Sequence, residues 1–158
     1  MDSARSDDRP IVALDVGQAR VGIATWDPQR GVRGESALRR VSLAEDVRRL
    51  TAIVRERRAS LVLVGLPLNA DGSIGPQARL TRRFARELSE ALRDLNVEVD
   101  MRDETDTSVE ATAELGLAGR PLAERERAAV DSRSAAILLR RYLAAPSAAS
   151  AIPSDAKE

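Results

Sequence analysis

The sequence predicts an α/β domain built on a mixed sheet with helices on both faces. At 158 residues, the chain has the size of one ordinary domain. Two apolar runs, residues 11–14 and 21–24, flank a short turn-type segment, as the strands of a β-hairpin do. Residues 61–64 form a short, continuous apolar run, which is typical of a strand buried on both faces.

The first half of the chain is predicted to supply three strands and one helix. After the hairpin, Asp27 and Gly31 indicate a turn that leads into a third strand within residues 35–41. Ser42, with Glu45 three residues later, has the pattern of a capping box. Apolar residues then repeat at helical spacing, which predicts a surface helix packed on the sheet.

In the second half, helices and strands alternate. A helix is predicted from about residue 73 or 76 to residue 95, with an apolar stripe made by Leu80, Phe84, Leu88, Leu92 and Leu95. Residues 97–102 alternate apolar and polar side chains, as in a strand with one buried face. Helical sequence resumes near residues 109–115 and, after two glycines and a proline, continues as a final helix over 127–144.

A second face of the 73–95 helix is basic, because it carries Arg79, Arg82, Arg83 and Arg86. These arginines could grip a phosphate backbone. Glu87 and Glu90 lie close to them in the sequence, so we favour a solvated, salt-bridged face.

Composition narrows the possible chemistry. Acidic and basic residues are equal at 25 each, so no global field attracts nucleic acid or anionic membrane, and any polyanion site must be local. The absence of His and Cys excludes an imidazole base, a thiolate nucleophile and a soft metal site. Any metal would be held by carboxylates, which select hard ions such as Mg²⁺ or Mn²⁺. Three aromatic residues are too few for a base-stacking platform.

The ends of the chain differ from its middle. Residues 1–9 are polar and residues 145–158 are rich in Ala, Ser and Pro, so we expect two disordered tails around a folded domain of residues 10–144. No apolar stretch is long enough for a membrane span, and no signal peptide is expected. We therefore expect a cytoplasmic protein.

Two carboxylates stand where a binding site would need them. Asp15 follows the first apolar run, and Gly17 two residues later would let a ligand approach the backbone. The alternative is that Asp15 only forms an Asx-turn and Gly17 only supplies a positive φ. Asp131 lies four residues before Ala135 and seven before Leu138, which puts it on the apolar stripe of the last helix. An inward carboxylate must be protonated, paired or metal-bound, unless the helix begins later and Asp131 is its N-cap.

The predicted order βββαβαβα, with the first three strands antiparallel, is that of a ribonuclease H-like sheet. In such a sheet Asp15, the pair Asp103-Glu104 at the end of the last strand, and Asp131 could converge at one edge. Three carboxylates from separate segments can hold two hard cations about 4 Å apart, which activate a water and stabilise the leaving oxygen in phosphoryl transfer. Metal binding would then also stabilise the fold.

Four motifs occur in order between about residues 11 and 143. They are DVGQARVGIA at 15–24, VGLPLN at 64–69 with DGS at 71–73, DE at 103–104, and VDS at 130–132 leading through AAIL at 135–138 to YL at 142–143. The first alone is weak, since actin-like ATPases open with a similar Asp-x-Gly, but all four in order are specific. On these motifs the chain resembles the YqgF/RuvX family of ribonuclease H-like proteins, described as Holliday junction resolvases and as pre-16S rRNA nucleases.

The resemblance implies roles for individual residues. It implies a catalytic, metal-binding set of Asp15, Glu104 and Asp131, with Asp103 as a helper ligand of Mg²⁺ or Mn²⁺. Arg20 and Asn69 are implied contacts near the scissile phosphate, and we place Gly17 with them.

Two positions depart from the family pattern. Gln18 stands where the family usually has Thr, which removes a hydroxyl beside the first Asp. Thr105-Asp106 replaces the Arg-Leu that normally follows Asp-Glu, and the lost arginine is expected to weaken phosphate binding or change substrate preference.

The leading hypothesis is a divalent-metal-dependent nuclease acting on structured RNA, in the maturation of the 16S rRNA precursor, as a monomer or homodimer. The RNA substrate is an implication of the resemblance, and branched DNA is the alternative. A non-cleaving nucleic-acid-binding factor of transcription or ribosome assembly is favoured by residues 105–106 but opposed by the three carboxylates. An actin-like kinase ranks last, because 158 residues leave no room for its second domain.

Overall fold

Five strands form one mixed sheet in the computed structural model, which describes residues 8–145. The strands are β1 (Ile11–Val16), β2 (Arg20–Asp27), β3 (Gly31–Arg39), β4 (Leu61–Leu66) and β5 (Glu98–Asp103). Their order in the sheet is β3-β2-β1-β4-β5, with antiparallel pairing among β1, β2 and β3 and parallel pairing of β4 with β1 and β5. The predicted mixed sheet is confirmed. The predicted disordered tails fall almost entirely outside the described residues.

Four α-helices cover the two faces of this sheet. They are α1 (Leu43–Arg57), α2 (Pro76–Ala91), α3 (Thr107–Glu114) and α4 (Glu124–Ala144), with a 3-10 turn at Arg93–Leu95. Ser42 caps α1 as predicted, since its Oγ accepts a hydrogen bond from the Glu45 backbone N–H at 3.1 Å. None of the helices within residues 8–145 is long and apolar enough to cross a bilayer.

The two faces of the sheet form separate hydrophobic cores. Helices α1 and α2 cover the face that carries Val12, Leu14 and Val64, together with the large side chains Leu50 and Phe84. Helix α4 covers the opposite face, where the sheet offers small side chains such as Ala13 and Ala24. Because strand side chains alternate between faces, Asp15 lies on the α4 face.

Two predicted boundaries and one predicted buried residue were wrong. Strand β3 begins at Gly31 rather than within residues 35–41, because the Asp27 carboxylate accepts two backbone N–H groups and closes the turn immediately before it. Helix α4 begins at Glu124 rather than near Arg127, and the Glu126 carboxylate accepts the backbone N–H of residue 123 in place of a capping side chain. Leu80, predicted on the buried stripe of α2, is 57% exposed.

Candidate active site

Asp15 lies between two glycines of neighbouring strands. It is the fifth residue of β1, and its partner across the β1–β2 ladder is Gly22. On the other side, Gly65 of β4 follows Val64, the partner of Leu14. The Asx-turn interpretation of Asp15 is therefore wrong, because Asp15 is a ladder residue. The φ angle of Gly17 is not positive.

Gly22 makes room for Asp131. A Cβ atom built on Gly22 would lie 2.0 Å from the Asp131 carbonyl oxygen, far inside van der Waals contact. Helix α4 therefore packs directly on the backbone of β2 at this point, directly across the ladder from Asp15. Because α4 begins at Glu124, Asp131 is an interior helical residue, and the N-cap interpretation is wrong.

Gly65 makes room for Glu104 in the same way. A Cβ atom on Gly65 would lie 2.3 Å from Oε2 of Glu104, the residue that follows β5. The backbone N–H of Glu104 donates to the Leu66 carbonyl at 3.3 Å, which holds this residue against the end of β4. The two glycines thus seat Asp131 and Glu104 on either side of Asp15.

Asp15 and Glu104 share a hydrogen bond between their carboxyl groups. Burial raises the pKa of Glu104 far above its ordinary value, and the neighbouring charges of Asp15, Asp103 and Asp131 add to this. Burial also raises the pKa of Asp15, although the hydrogen bond to Glu104 opposes the rise. The folded pair therefore keeps a proton to higher pH than two ordinary carboxyl groups would.

Asp131 is paired with Arg20. Nε of Arg20 donates to Oδ2 of Asp131 at 2.8 Å, and Nη1 donates to Oε1 of Glu124 at 2.9 Å. Burial raises the pKa of Asp131, and the hydrogen bond from Arg20 works against that rise. Arg20 therefore lies next to the carboxylates, and acidic side chains of α4 accept hydrogen bonds from its Nε and Nη1.

The remaining predicted site residues have local partners. The exposed carboxylate of Asp103 accepts hydrogen bonds from the Thr105 N–H at 2.9 Å and the Thr105 hydroxyl at 2.5 Å. Asn69 lies in the loop after β4, and its Nδ2 donates to the Ser73 hydroxyl at 2.9 Å. Gly17 closes the β1–β2 turn, with its N–H donating to the Arg20 carbonyl at 2.9 Å.

Helix α4 also holds the loop that carries Glu104. Nη1 of Arg141 donates to the Thr105 carbonyl at 2.8 Å, and Nη2 donates to Glu110 of α3 at 2.7 Å. One helix therefore positions both Asp131 and the segment next to Glu104.

The donor set fits a hard divalent cation at Asp15 and Glu104. Because burial raises the pKa of both groups, the metal-free pair favours a protonated state, and a cation could replace that proton. The fit does not extend to a complete three-carboxylate cage. Within residues 8–145 no group of three acidic side chains is arranged to hold one metal ion, and Asp131 is engaged by Arg20.

The sequence of this chain matches one protein family over almost the whole of the described residues. Residues 9–145 match the family model described as "RuvX: Holliday junction resolvase". The chain belongs to the RuvX family. A relative from Synechococcus sp. (strain JA-3-3Ab), named "Putative pre-16S rRNA nuclease", is 39% identical over 142 residues, covering 89% of this chain and 87% of its own. A relative of the same name from Anaeromyxobacter sp. (strain K) is 37% identical, covering 84% of this chain and 94% of its own.

A solved structure confirms the ribonuclease H-like fold of this RuvX-family chain. The structure of T. thermophilus RuvC in complex with a Holliday junction substrate matches with a TM-score of 0.58 and 14% identity. The match covers 90% of this chain and 99% of that one. At this level of identity the likeness concerns the fold alone.

The two departures from the RuvX-family pattern have different structural consequences. Thr105, in the place of the family's arginine, closes a turn with Asp103. The residue after it, Asp106, adopts a left-handed conformation with φ 62°. Gln18 lies on the β1–β2 turn and lines a surface cavity between this turn, α1 and α2.

Sequence analysis missed several residues that build the site. Gly22 and Gly65 stood inside the RuvX motifs, but no sequence signal showed which side chains they accommodate. Glu124 could have been found only from the true start of α4. Arg40 was also missed, although its Nη1 donates to the Gly17 carbonyl at 2.9 Å and so supports the turn after Asp15.

Proposed function

We propose that this RuvX-family chain is a divalent-metal-dependent nuclease of the cytoplasm that hydrolyses phosphodiester bonds of structured RNA, at the 5′ end of the 16S rRNA precursor. The observation that carries the proposal is the seating of Glu104 and Asp131 on either side of Asp15, each against a glycine of a neighbouring strand. The names of the relatives support the RNA substrate.

In this proposal Asp15 and Glu104 hold Mg²⁺ or Mn²⁺, with Asp131 completing the catalytic set and Asp103 assisting. When bound, such ions lower the pKa of water and stabilise the leaving oxygen. The chain's own contribution is to seat hard oxygen ligands at a fixed edge of the sheet, with glycine on both sides so that no side chain intervenes.

Arg20 would bind the phosphate next to the scissile bond. Its Nη1 is held by Glu124, whose side chain is 58% exposed, so this ion pair is weak and a phosphate can displace the carboxylate. Asn69 and Gly17, from the loop after β4 and the turn after β1, would contact substrate at the same edge.

Branched DNA is the second candidate substrate. It is supported by the description of the family as Holliday junction resolvases. Both substrates need the same chemistry at the carboxylates, so the choice between them lies in the surfaces that hold the rest of the nucleic acid.

Cleavage assays test the proposal directly. Labelled 16S rRNA precursor and a four-way DNA junction are incubated with Mg²⁺, Mn²⁺ or EDTA and with the wild type, Asp131→Asn or Asp94→Asn. Asp94 is an exposed carboxylate of the 3-10 turn, so its variant is a matched control. We expect metal-dependent cleavage that falls at least about a hundredfold in Asp131→Asn and is unchanged in Asp94→Asn.

The preferred substrate in this assay decides between RNA and DNA. Binding of either substrate without cleavage by the wild type would instead indicate a non-cleaving nucleic-acid-binding factor. Cleavage by Asp131→Asn at the wild-type rate would exclude Asp131 from the chemistry.

A further inference from the structure

A basic surface groove begins beside the turn that follows Asp15. One cavity of about 470 Å³ is lined by Gln18 of this turn, by Val41, and by Gln77, Leu80 and Arg83 of α2. A second cavity of about 410 Å³ shares Leu80 and Arg83 and continues along α2 past Arg79 and Arg86. We call the two together the α2 groove. It is joined to the candidate site, because Nε2 of Gln77 donates to the carbonyl of Val16, the residue after Asp15, at 3.4 Å.

The charge of the α2 groove is uncompensated at two arginines. Within residues 8–145 neither Arg79 nor Arg83 forms an ion pair, and Nη1 of Arg79 donates only to the Ile74 carbonyl at 3.3 Å. The salt-bridged face predicted for these two residues is therefore wrong. Nearby Glu90 pairs with Arg93 at 2.5 Å. Arg82 lies outside the groove, in a separate cavity with Val99 and Met101.

The single acid among the described lining residues does not oppose this charge. Asp46 is fully buried, and its carboxylate accepts hydrogen bonds from Nε of Arg40 at 2.9 Å and the Val41 N–H at 3.0 Å. Val41 and Leu80 are 74% and 57% exposed, so the groove combines apolar contact area with arginine at its walls.

Resting on the proposed function, we propose that the α2 groove binds the phosphate backbone of the nucleic-acid substrate beyond the cut site. Arg79, Arg83 and Arg86 are spaced at i, i+4 and i+7, which spans about 10 Å along a helix. That distance corresponds to about three nucleotides of a helical strand. Arginine donates in the planar, forked geometry that phosphate oxygens accept. Although the chain is neutral overall, it thereby has a local basic surface that can bind a polyanion and that leads to the carboxylates.

The experiment separates binding from cleavage. Binding of the labelled 16S rRNA precursor is measured in EDTA over a range of salt concentrations, and single-turnover cleavage is measured in Mg²⁺ at saturating protein. The test variant is Arg79→Gln with Arg83→Gln. The matched control is Arg55→Gln with Arg58→Gln, two exposed arginines at the far end of α1, where the parallel strands begin. The double variant Arg79→Lys with Arg83→Lys tests whether positive charge alone restores RNA binding.

We expect the test variant to bind roughly tenfold more weakly and to lower the salt-dependence slope by about 1.5 to 2, as the loss of two phosphate contacts requires. The saturated cleavage rate should stay within about twofold of wild type, the control should match wild type, and the lysine variant should recover most of the binding.

Four outcomes differ in what they overturn. Unchanged affinity and slope in the test variant, or an equal loss in the control, would overturn the α2 groove and leave the nuclease proposal standing. Weakened binding without cleavage by any protein would support the groove and overturn the catalysis. No binding by the wild type would overturn both. Unchanged RNA binding together with a dimer-to-monomer change in sedimentation would assign the groove to a second copy of the chain and overturn the nucleic-acid assignment.

Discussion

Two arginine–aspartate pairs lie close to the β1–β2 turn, and they are held in different ways. Arg40 and Asp46 pair on the α1 and α2 side, while Arg20 and Asp131 pair under α4. Asp46 is fully buried and receives only hydrogen-bond donors, from Arg40 and from the Val41 N–H. Asp131 is partly buried and lies near two further carboxyl groups, Asp15 and Glu104, whose pKa values its charge raises.

This difference shows that burial of a charge does not by itself mark a functional site. The Asp46 carboxylate is satisfied by its neighbours, so its role is to fix the start of α1 and the turn after Asp15. The carboxylates near Asp131 repel one another, and a fold keeps such an arrangement only when a proton or a cation offsets it. Mutual crowding, rather than burial, distinguishes the candidate site.

The largest effect is expected where α4 meets the sheet. In Gly22→Ala, the new Cβ would lie 2.0 Å from the Asp131 carbonyl oxygen, so α4 must move away from β2. We expect a loss of roughly 3 kcal/mol in unfolding free energy and at least about a hundredfold in cleavage. Urea denaturation and the cleavage assay measure both.

Gly34→Ala is the matched control, because a Cβ there would lie 3.8 Å from Cβ of Ser132, an ordinary contact with the same helix. We expect it to change stability by less than about 0.5 kcal/mol. Equal effects of the two substitutions would contradict the close seating of Asp131.

The second prediction concerns the satisfied pair. Asp46→Asn removes a fully buried charge from Arg40, which is expected to cost roughly 3 kcal/mol and to lower Tm by roughly 6 to 12 °C. Below its unfolding transition, the variant should still cleave within about threefold of wild type, since Asp46 holds no reacting group. A hundredfold loss of cleavage in a folded Asp46→Asn protein would erase the distinction between the two pairs.

The third prediction concerns how the stability of the protein depends on pH through the carboxyl groups of Asp15 and Glu104. Because the folded-state pKa values of Asp15 and Glu104 are raised, the unfolded chain loses these protons at lower pH than the folded chain does. Metal-free stability should therefore fall as pH rises above the ordinary carboxyl range, by up to about 1.4 kcal/mol for each pH unit over which the folded pair keeps a proton that the unfolded chain has lost. Mg²⁺ needs the ionised groups, so its stabilising effect should grow over the same interval.

Urea denaturation with and without Mg²⁺ measures these dependences. Asp15→Asn should weaken both, whereas Asp94→Asn should leave them as in the wild type. A metal-free stability that rises with pH in the wild type and not in Asp15→Asn would reverse the sign and contradict the shared proton.

The smallest effect is expected at the exposed partner of Arg20. Glu124→Gln removes an ion pair whose acid is 58% exposed, so stability should change by less than about 1 kcal/mol. Without this competitor Arg20 should bind phosphate more readily, lowering KM for the RNA about twofold to fivefold with little change in kcat. A raised KM would show that Glu124 orients Arg20 for the substrate.

Local sequence patterns predicted much of the fold and part of the site. Apolar patterns identified β1, β2, β4 and β5 and placed Asp131 on the inner side of the last helix, because side-chain direction follows directly from helical spacing. The third strand was predicted only from the turn before it, and its bounds were wrong. The three candidate carboxylates could be named because each stands next to an element boundary or on a buried stripe.

The remaining features depend on contacts between distant segments. Arg20 and Asp131 are 111 residues apart, and nothing in either local sequence indicates their pairing. The start of α4 was missed because no capping side chain precedes it. Asp46 stands in the first turn of α1, and only packing shows that it is buried. Arg79 and Arg83 were assigned to a salt-bridged face because nearby glutamates suggested partners, but neither arginine forms an ion pair within residues 8–145.

The central claim is that Asp15 and Glu104 exchange a shared proton for a divalent cation. Calorimetric titration of Mn²⁺ into the wild type, Glu104→Gln and Asp94→Asn tests it most directly. Glutamine resembles the protonated Glu104 of the metal-free protein, so this variant should be folded and at least as stable as wild type without metal. We predict that Mn²⁺ binds wild type and Asp94→Asn alike and binds Glu104→Gln at least tenfold more weakly. Equal Mn²⁺ affinity in a folded Glu104→Gln protein would contradict the claim.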